Sequence, residues 1–210
     1  QCILTLSMSK PRIVYVTERA RIEGDDVTYL EKLLSGRPDA LLIREKDLSD
    51  EALMAFAAPL VPIATHYGVD LILRGTPLMA RRLGIRRIQL SYREALASPL
   101  PQDFESVGVS VHSLDEALTA AKLGASYVTY GHIFTSTCKP GLPPRGLAAL
   151  DDIVAKCPIP VLAIGGINLD TISFLLPSKM HGICLMSASM TDSEPQTLTT
   201  RLRNICNQNA

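Results

Sequence analysis

The stretch from Tyr127 to Asn168 reads YVTYGHIFTSTCKPGLPPRGLAALDDIVAKCPIPVLAIGGIN and contains a complete strand–helix–strand unit. An apolar segment at Tyr127–Gly131 precedes a long loop rich in glycine and proline. An amphipathic segment at Leu147–Lys156 and a second apolar segment at Pro160–Ile164 then follow. Short, nearly continuous apolar segments are typical of parallel strands that helices cover. The stretch therefore predicts a parallel α/β fold.

Outward from this unit, strands and helices alternate along the whole chain. The other predicted strands are Arg12–Thr17, Ala40–Arg44, Val69–Arg74, Arg87–Leu90, Ser106–Val111 and Gly182–Met186. The other predicted helices are Val27–Leu34, Asp50–His66, Pro77–Leu83, Arg93–Ala97, Ser113–Leu123, Leu169–Leu176 and Pro195–Cys206. Eight such units in one chain predict a single-domain (β/α)8 TIM barrel. A doubly wound open sheet also alternates strand and helix, but no GxGxxG motif follows the first strand.

The composition is that of one globular domain. The chain has 210 residues, and we expect the barrel to span residues 8–210 after an N-terminal extension of residues 1–7. Basic and acidic residues balance at 21 each, which argues against nucleic acid as the main partner and favours self-association, so a homo-oligomer is possible. No apolar run approaches the ~18 residues of a membrane helix. Five widely spaced cysteines without a CxxC pair fit free thiols and a cytoplasmic location.

In a TIM barrel the active site lies at the C-terminal ends of the strands. Arg44 and Lys46 follow the second strand, and strand alternation sends both side chains toward this mouth, where two cations would suit a phosphate or carboxylate. A solvated charged turn is the alternative. After the fifth strand, Ser110 is placed to reach the mouth, whereas His112 is expected to pack at the strand–helix junction.

The loop after the sixth strand carries the most candidate groups. His132 is the first residue beyond the strand, and a neutral imidazole can both accept and return a proton near pH 7. Thr135, Thr137 and Lys139 are candidate donors to a phosphate. Long loops in compact barrels usually have a function, although a single histidine is often structural.

Two further segments predict a phosphate site. The seventh strand ends in Gly165-Gly166, a turn that lets backbone approach a ligand closely, and the eighth strand leads into Ser187 and Ser189. TIM barrels often hold phosphate between these two loops through backbone N–H groups and a short helix. A tight turn before an ordinary capped helix is the alternative.

These segments together resemble the thiamin phosphate synthase/TenI superfamily over nearly the whole chain. The most specific are GHIFTSTCKPGLPPRGL at Gly131–Leu147 and VLAIGGI at Val161–Ile167. GVSVHSLDEA at Gly108–Ala117 and LLIREK at Leu41–Lys46 also match. The superfamily contains magnesium-dependent synthases, which join a pyrimidine pyrophosphate to a thiazole phosphate. It also contains TenI-type tautomerases, which aromatise a carboxythiazole phosphate without metal.

The resemblance is greater to the tautomerases. Where synthases typically have Gly-Pro-Ile-Phe this chain has Gly131–Phe134, with the His132 of TenI-type proteins. Leu42 replaces the synthase glutamine after the second strand, and Arg74-Gly75 replaces the Asn-Asp whose aspartate serves magnesium.

In the fourth loop, Ser91-Tyr92-Arg93-Glu94 replaces Gly-Gln-Glu-Asp, which leaves Glu94 without its partner aspartate. Arg74 also departs from the tautomerases, which usually carry asparagine there, so a substrate contact by Arg74 is expected to change ligand preference.

The resemblance therefore implies a metal-independent thiazole tautomerase, an isomerase of thiamin biosynthesis without a cofactor. Its ligand would be a small thiazole phosphate, with His132 as the acid–base group and with Arg44 and Lys46 at the carboxylate. The phosphate would lie against Gly165, Gly166, Ser187 and Ser189. A synthase with degenerate magnesium ligands, a non-catalytic protein that binds thiazole phosphate, and another phosphate-binding isomerase stay open as alternatives.

Overall fold

The computed structural model of the protein describes residues 10–135 and 143–208. Eight parallel strands form a closed barrel in the order of the sequence, with β8 paired to β1. The strands are β1 (Arg12–Val16), β2 (Ala40–Ile43), β3 (Asp70–Leu73), β4 (Arg87–Ser91), β5 (Ser106–Val111), β6 (Tyr127–Gly131), β7 (Val161–Ile164) and β8 (Gly182–Leu185). The predicted single-domain TIM barrel is confirmed.

Helices surround the barrel. They are α1 (Asp26–Ser35), α2 (Asp50–Ala57), α3 (Leu60–Tyr67), α4 (Pro77–Leu83), α5 (Tyr92–Ala97), α6 (Leu114–Lys122), α7 (Gly146–Lys156), α8 (Ile172–Leu175), α9 (Ser187–Met190) and α10 (Pro195–Gln208). Short 3-10 turns lie at Arg19–Arg21 and Leu176–Ser178. The short helix expected after the eighth strand is α9.

The predicted helix Asp50–His66 is wrong, because the segment forms two helices. Pro59 lies between α2 and α3 and has no N–H to continue the ladder of α2. Pro62 is tolerated inside α3, since the first N–H groups of a helix have no intrahelical acceptor. The predicted helix Leu169–Leu176 is likewise shorter, because Asn168 accepts hydrogen bonds from the N–H groups of Asp170 and Thr171 and forms a turn first.

The core has two layers. The larger one lies between the strands and the helices, and the smaller one fills the barrel interior. The interior residues are Val14, Val16, Ala40, Leu42, Ile72, Tyr127, Leu162 and Cys184. Their spacing of two along each strand shows which side chains point inward. By the same alternation Gln89, Ser110 and Thr129 point inward from β4, β5 and β6.

Charged side chains surround the N-terminal ends of the strands. Asp70 at the start of β3 contacts Arg12 of β1 at 3.2 Å and Arg87 of β4 at 3.3 Å, and Arg87 also contacts Glu105 at 2.8 Å. This end of the barrel is thus closed by ion pairs, which leaves the opposite end for ligands. Across residues 10–135 and 143–208, no helix combines the length and apolar character needed to cross a membrane.

Candidate functional site

Arg44 lies at the C-terminal mouth, immediately after β2. Its N–H donates to the Thr17 hydroxyl at 2.9 Å, and its guanidinium Nη1 lies 3.8 Å from the Met186 sulfur after β8. The half-buried side chain therefore extends past the end of β1 toward β8. Glu45, the next residue, is buried on the other side, where its carboxylate accepts from the Arg19 N–H at 3.0 Å. Burial raises the pKa of Glu45 above its usual value, against the lowering effect of hydrogen bonds from Thr17 and Arg19.

Arg74 and Glu94 form a two-pronged ion pair between the ends of β3 and β4. The guanidinium contacts the two carboxylate oxygens at 3.1 and 2.8 Å. Oε2 of Glu94 also accepts from the N–H and hydroxyl of Ser91, at 2.7 and 2.6 Å, which completes a capping box on α5. Burial alone would raise the pKa of Glu94, but the Ser91 hydrogen bonds and the Arg74 charge outweigh it and lower that pKa. Both oxygens are therefore engaged by protein donors.

A buried polar cluster lies below the mouth on the β4–β6 side of the interior. The Gln89 amide nitrogen donates to Ser110 and to Thr129, both at 3.0 Å, and the Tyr127 hydroxyl donates to the Gln89 oxygen at 2.7 Å. Gly108 makes room for these contacts, because a Cβ there would overlap the Gln89 oxygen and the Tyr127 ring. We call Gln89, Ser110, Tyr127 and Thr129 the Gln89 cluster.

His132 follows β6 through a cis peptide bond after Gly131, and it is only 6% exposed. Its carbonyl accepts from the Arg145 N–H at 3.0 Å. Its Cα and Cβ pack directly against Gly165, where any Cβ would overlap them. Gly165 therefore fixes how closely the ends of β6 and β7 approach each other.

The Gly165-Gly166 turn follows β7 with φ angles of +102° and +70°, which L side chains rarely adopt. A Cβ on Gly166 would lie 2.7 Å from both the Phe134 Cβ and the Thr135 carbonyl oxygen. Within the described parts of the chain, the N–H groups of Gly165 and Gly166 donate to no protein acceptor. The turn thus presents backbone donors at the end of β7.

The two serines after β8 differ in burial and in their hydrogen-bond partners. The Ser187 hydroxyl lies 3.4 Å from a carboxylate oxygen of Glu18, which also pairs with Arg21. Ser189 is fully buried, its hydroxyl donates to the Leu185 and Met186 carbonyls, and its N–H bonds to Met186. Because both Ser189 donors are used inside the turn, the expected phosphate contact by Ser189 is corrected to a structural role.

The barrel brings most of the predicted site residues to one end. Arg44, Arg74, Ser110, His132 and Gly165 all lie at or just below the C-terminal ends of their strands. Lys46 and Thr135 are exposed beside this end. Thr137 and Lys139 lie outside the described residues. His112 is half exposed and its ring faces Glu116 at 3.5 Å, so it belongs to the start of α6 rather than to the mouth.

The sequence patterns did not single out the buried polar cluster below the mouth. Gln89 and Thr129 lie in predicted strands, but neither is a predicted functional residue, and Glu18 is not one either. The signal was available for the first two, since each is a polar residue at an inward position of an otherwise apolar strand. The Glu18 contact with Ser187 joins residues 169 positions apart, and no local pattern predicts it.

Residues 13–189 match the family model described as thiamine monophosphate synthase. The chain belongs to this family. Its relatives include thiamine-phosphate synthase of Clostridium novyi (strain NT), 29% identical over 199 residues that cover 92% of this chain and 98% of the relative. The putative thiamine-phosphate synthase 2 of Aquifex aeolicus (strain VF5) is 30% identical over 183 residues, 86% of this chain and 98% of that protein.

Solved structures agree with the family assignment. Thiamine phosphate pyrophosphorylase from Pyrococcus furiosus superposes with a TM-score of 0.80 at 27% identity, covering 96% of this chain and 98% of that one. A geranylgeranylglyceryl phosphate synthase from Thermoplasma acidophilum has a TM-score of 0.68 at 12% identity and shows the shared fold alone. Members of the thiamine monophosphate synthase family are enzymes of thiamin biosynthesis, and the mouth described above is the candidate active site.

Proposed function

We propose that the protein is a metal-independent thiazole tautomerase that acts on a carboxythiazole phosphate. The observation that carries this proposal is the Arg74–Glu94 ion pair. The resemblance to synthases implies magnesium near the ends of β3 and β4, where those enzymes have acidic residues. In this chain a guanidinium lies against the carboxylate at that place, with both carboxylate oxygens within 3.1 Å of Arg74 nitrogens.

The residues present do not fit a magnesium ion. Magnesium requires several oxygen ligands in octahedral geometry. Gly75 offers no side chain, and the Glu94 oxygens are held by Arg74 and Ser91. Among the described residues, no group of three histidine, cysteine, aspartate or glutamate side chains is arranged to hold a metal. A reaction that needs only proton transfer is compatible with this set of side chains.

His132 supplies the group for such a transfer. The imidazole would remove the ring proton next to the exocyclic double bond and deliver a proton to the exocyclic carbon. The double bonds then shift into the ring, and the aromatic thiazole forms without gain or loss of atoms. Proton transfer by a placed side chain commonly contributes ~10²–10⁴-fold to a rate.

The two anionic ends of the ligand would bind at two neighbouring places around the mouth, with the Arg44 guanidinium reaching toward β8. The N–H groups of Gly165 and Gly166, with the Ser187 turn, support a phosphate site near β7 and β8. The half-buried Arg44 guanidinium supports a carboxylate site after β2, and a cation there would stabilise negative charge that develops during proton removal. Arg74, at the end of β3, would further restrict which ligands bind in the mouth.

A synthase is the second candidate, and the names of the relatives favour it. Proteins 29–30% identical over almost their entire length are thiamine-phosphate synthases, one of them putative. A non-catalytic protein that binds thiazole phosphate is the remaining alternative. These three possibilities differ in whether the ligand is isomerised, coupled to a pyrimidine, or only bound.

One NMR experiment separates them. The non-aromatic carboxythiazole phosphate is incubated with the protein in EDTA, in magnesium, and in magnesium with the pyrimidine pyrophosphate. We expect aromatic product under all three conditions and no thiamin phosphate. Coupling that requires magnesium would establish the synthase, and binding without conversion would establish the regulatory protein.

A further inference from the structure

The Gln89 cluster lies outside the contacts that the proposed reaction uses. Its members come from three neighbouring strands and are almost completely buried: Gln89 is 1%, Thr129 4% and Tyr127 6% exposed. Ser110 is the half-buried member and lies nearest the mouth. A polar group in a barrel interior needs a hydrogen-bond partner, so the hydrogens of this cluster can be assigned one by one.

Four hydrogens of the cluster are used inside it. The Tyr127 hydroxyl donates to the Gln89 oxygen, and the two amide hydrogens of Gln89 go to Ser110 and Thr129. The Thr129 hydroxyl donates to the Ser110 oxygen at 3.2 Å. The Ser110 oxygen thus accepts two hydrogen bonds, while its own hydrogen has no acceptor in the described part of the chain.

The opposite orientation of the Gln89 amide satisfies fewer groups. It would direct the nitrogen toward Tyr127, whose single oxygen lies along only one of the two diverging N–H bonds. The second N–H and the Tyr127 hydroxyl hydrogen would then have no acceptor within the cluster. Amide orientations are assigned from such networks, and the assigned one gives each hydrogen of Gln89, Tyr127 and Thr129 an acceptor.

We propose that Gln89 is a positioning residue that holds Ser110 as a one-way hydrogen-bond donor to the ligand. The mouth then selects a ligand whose heterocyclic part, rather than its phosphate, presents an acceptor atom to Ser110. Ser110 is on β5, separated by β6 from the phosphate donors after β7. The identity of this ligand rests on the proposed function, whereas the direction of the Ser110 hydrogen follows from the cluster itself.

Glutamate at position 89 would reverse the direction in which the Ser110 hydroxyl donates its hydrogen. Glutamate has the shape of glutamine, but it carries at most one hydrogen where the amide carries two. Ser110 and Thr129 then face a carboxylate oxygen in place of the amide nitrogen, and this oxygen accepts from both hydroxyls, so the Ser110 hydrogen turns inward. The mouth would lose its donor without loss of side-chain volume.

The test is a binding cycle measured by calorimetry with the aromatic carboxythiazole phosphate, which does not turn over. We expect Ser110→Ala and Gln89→Glu each to weaken binding about tenfold, the usual size for a lost hydrogen bond to a charged or strongly polar group. The double variant should bind no more weakly than Ser110→Ala, because Gln89 acts through Ser110. Inorganic phosphate, used as a second probe, should bind equally to all four proteins.

Thr129→Val is the matched control. It leaves a Gln89 hydrogen without its acceptor and should lower the melting temperature as Gln89→Glu does, but it keeps the Ser110 hydrogen outward and should keep the affinity. Additive losses in the double variant, or an unchanged affinity of Ser110→Ala, would overturn the proposal. Binding that follows this pattern without isomerisation would overturn only the tautomerase. A wild type that does not bind the carboxythiazole phosphate would overturn both.

Discussion

At the scale of single residues, a conservative substitution can test the proton-transfer role of His132 while its packing is preserved. Glutamine keeps the size and hydrogen bonding of histidine but cannot cycle a proton. His132→Gln should keep the fold and bind the ligand nearly as well, while the isomerisation rate falls by ~10² or more. Single-turnover NMR kinetics with a thermal melt of the same sample measure both quantities.

His112 provides the control for this change. It is also a histidine that follows a strand, but its side chain is 47% exposed and faces Glu116 on α6. His112→Gln should therefore leave the rate within about twofold of wild type. Equal rates for wild type and His132→Gln would show that another group moves the proton.

The Arg74–Glu94 pair leads to a prediction about metal and pH. Because Arg74 and Ser91 hold the Glu94 oxygens, the isomerisation rate should be the same in EDTA and in magnesium. The pKa of Glu94 is lowered in the fold, so the pair contributes stability above the ordinary glutamate pKa and loses it as the pH falls through the lowered value. Loss of the rate in EDTA, restored by magnesium, would contradict the prediction.

At the scale of elements, Gly166 in the turn after β7 and Gly68 at the end of α3 form a matched pair of glycines. Gly166 and Gly68 have φ angles of +70° and +69°, but a Cβ at Gly68 would touch nothing within 4 Å. Alanine at either position should cost the ~1–2 kcal/mol of a left-handed residue. Gly166→Ala should cost more, because its Cβ would meet Phe134 and Thr135 at 2.7 Å, and it alone should weaken phosphate binding.

Urea unfolding of both variants gives the two free energies, and calorimetry with inorganic phosphate gives the affinities. Equal destabilisation and unchanged phosphate affinity in both variants would show that the β7 turn has no part in the anion site. A larger loss at Gly68 would contradict the geometry itself.

The sequence predicted the elements well because they depend on local patterns. All eight strands appear within a residue or so of their predicted limits, since buried parallel strands are short and nearly continuously apolar. The break between α2 and α3 follows from Pro59 and was nevertheless missed, because the amphipathic pattern continues through it. Arg74–Glu94 and the Gln89 cluster join neighbouring strands at specific atoms, and hydrophobic periodicity does not encode such pairings.

At the scale of the whole molecule, we expect the N-terminal end of the barrel to contribute to stability and the C-terminal end to carry the candidate site. Asp70 connects Arg12 and Arg87 at the closed end, far from the candidate site. Asp70→Asn should remove about 1 kcal/mol, since the pairs are partly exposed, and lower the melting temperature by about 2–4 °C. The isomerisation rate at 25 °C should not change.

Differential scanning calorimetry and the NMR assay on the same preparation test this separation. A rate that falls together with the melting temperature would mean that the two ends are coupled through the interior. Ser110→Ala, near the other end, should change both quantities, because Ser110 accepts hydrogen bonds from the buried Gln89 and Thr129 side chains.

The Arg74–Glu94 pair also has a consequence for how such barrels diverge. If a sequence with an aspartate after β3 and one after β4 acquired a guanidinium at position 74, the neighbouring carboxylate gained an internal counter-ion. A single reversal at position 74 would now leave Glu94 without its cation, and a single change at Glu94 would leave a half-buried guanidinium in the mouth. Each one-step return passes through a mismatched intermediate. If metal dependence was lost in this way, we expect that only coordinated substitutions at positions 74, 75 and 94 can restore it.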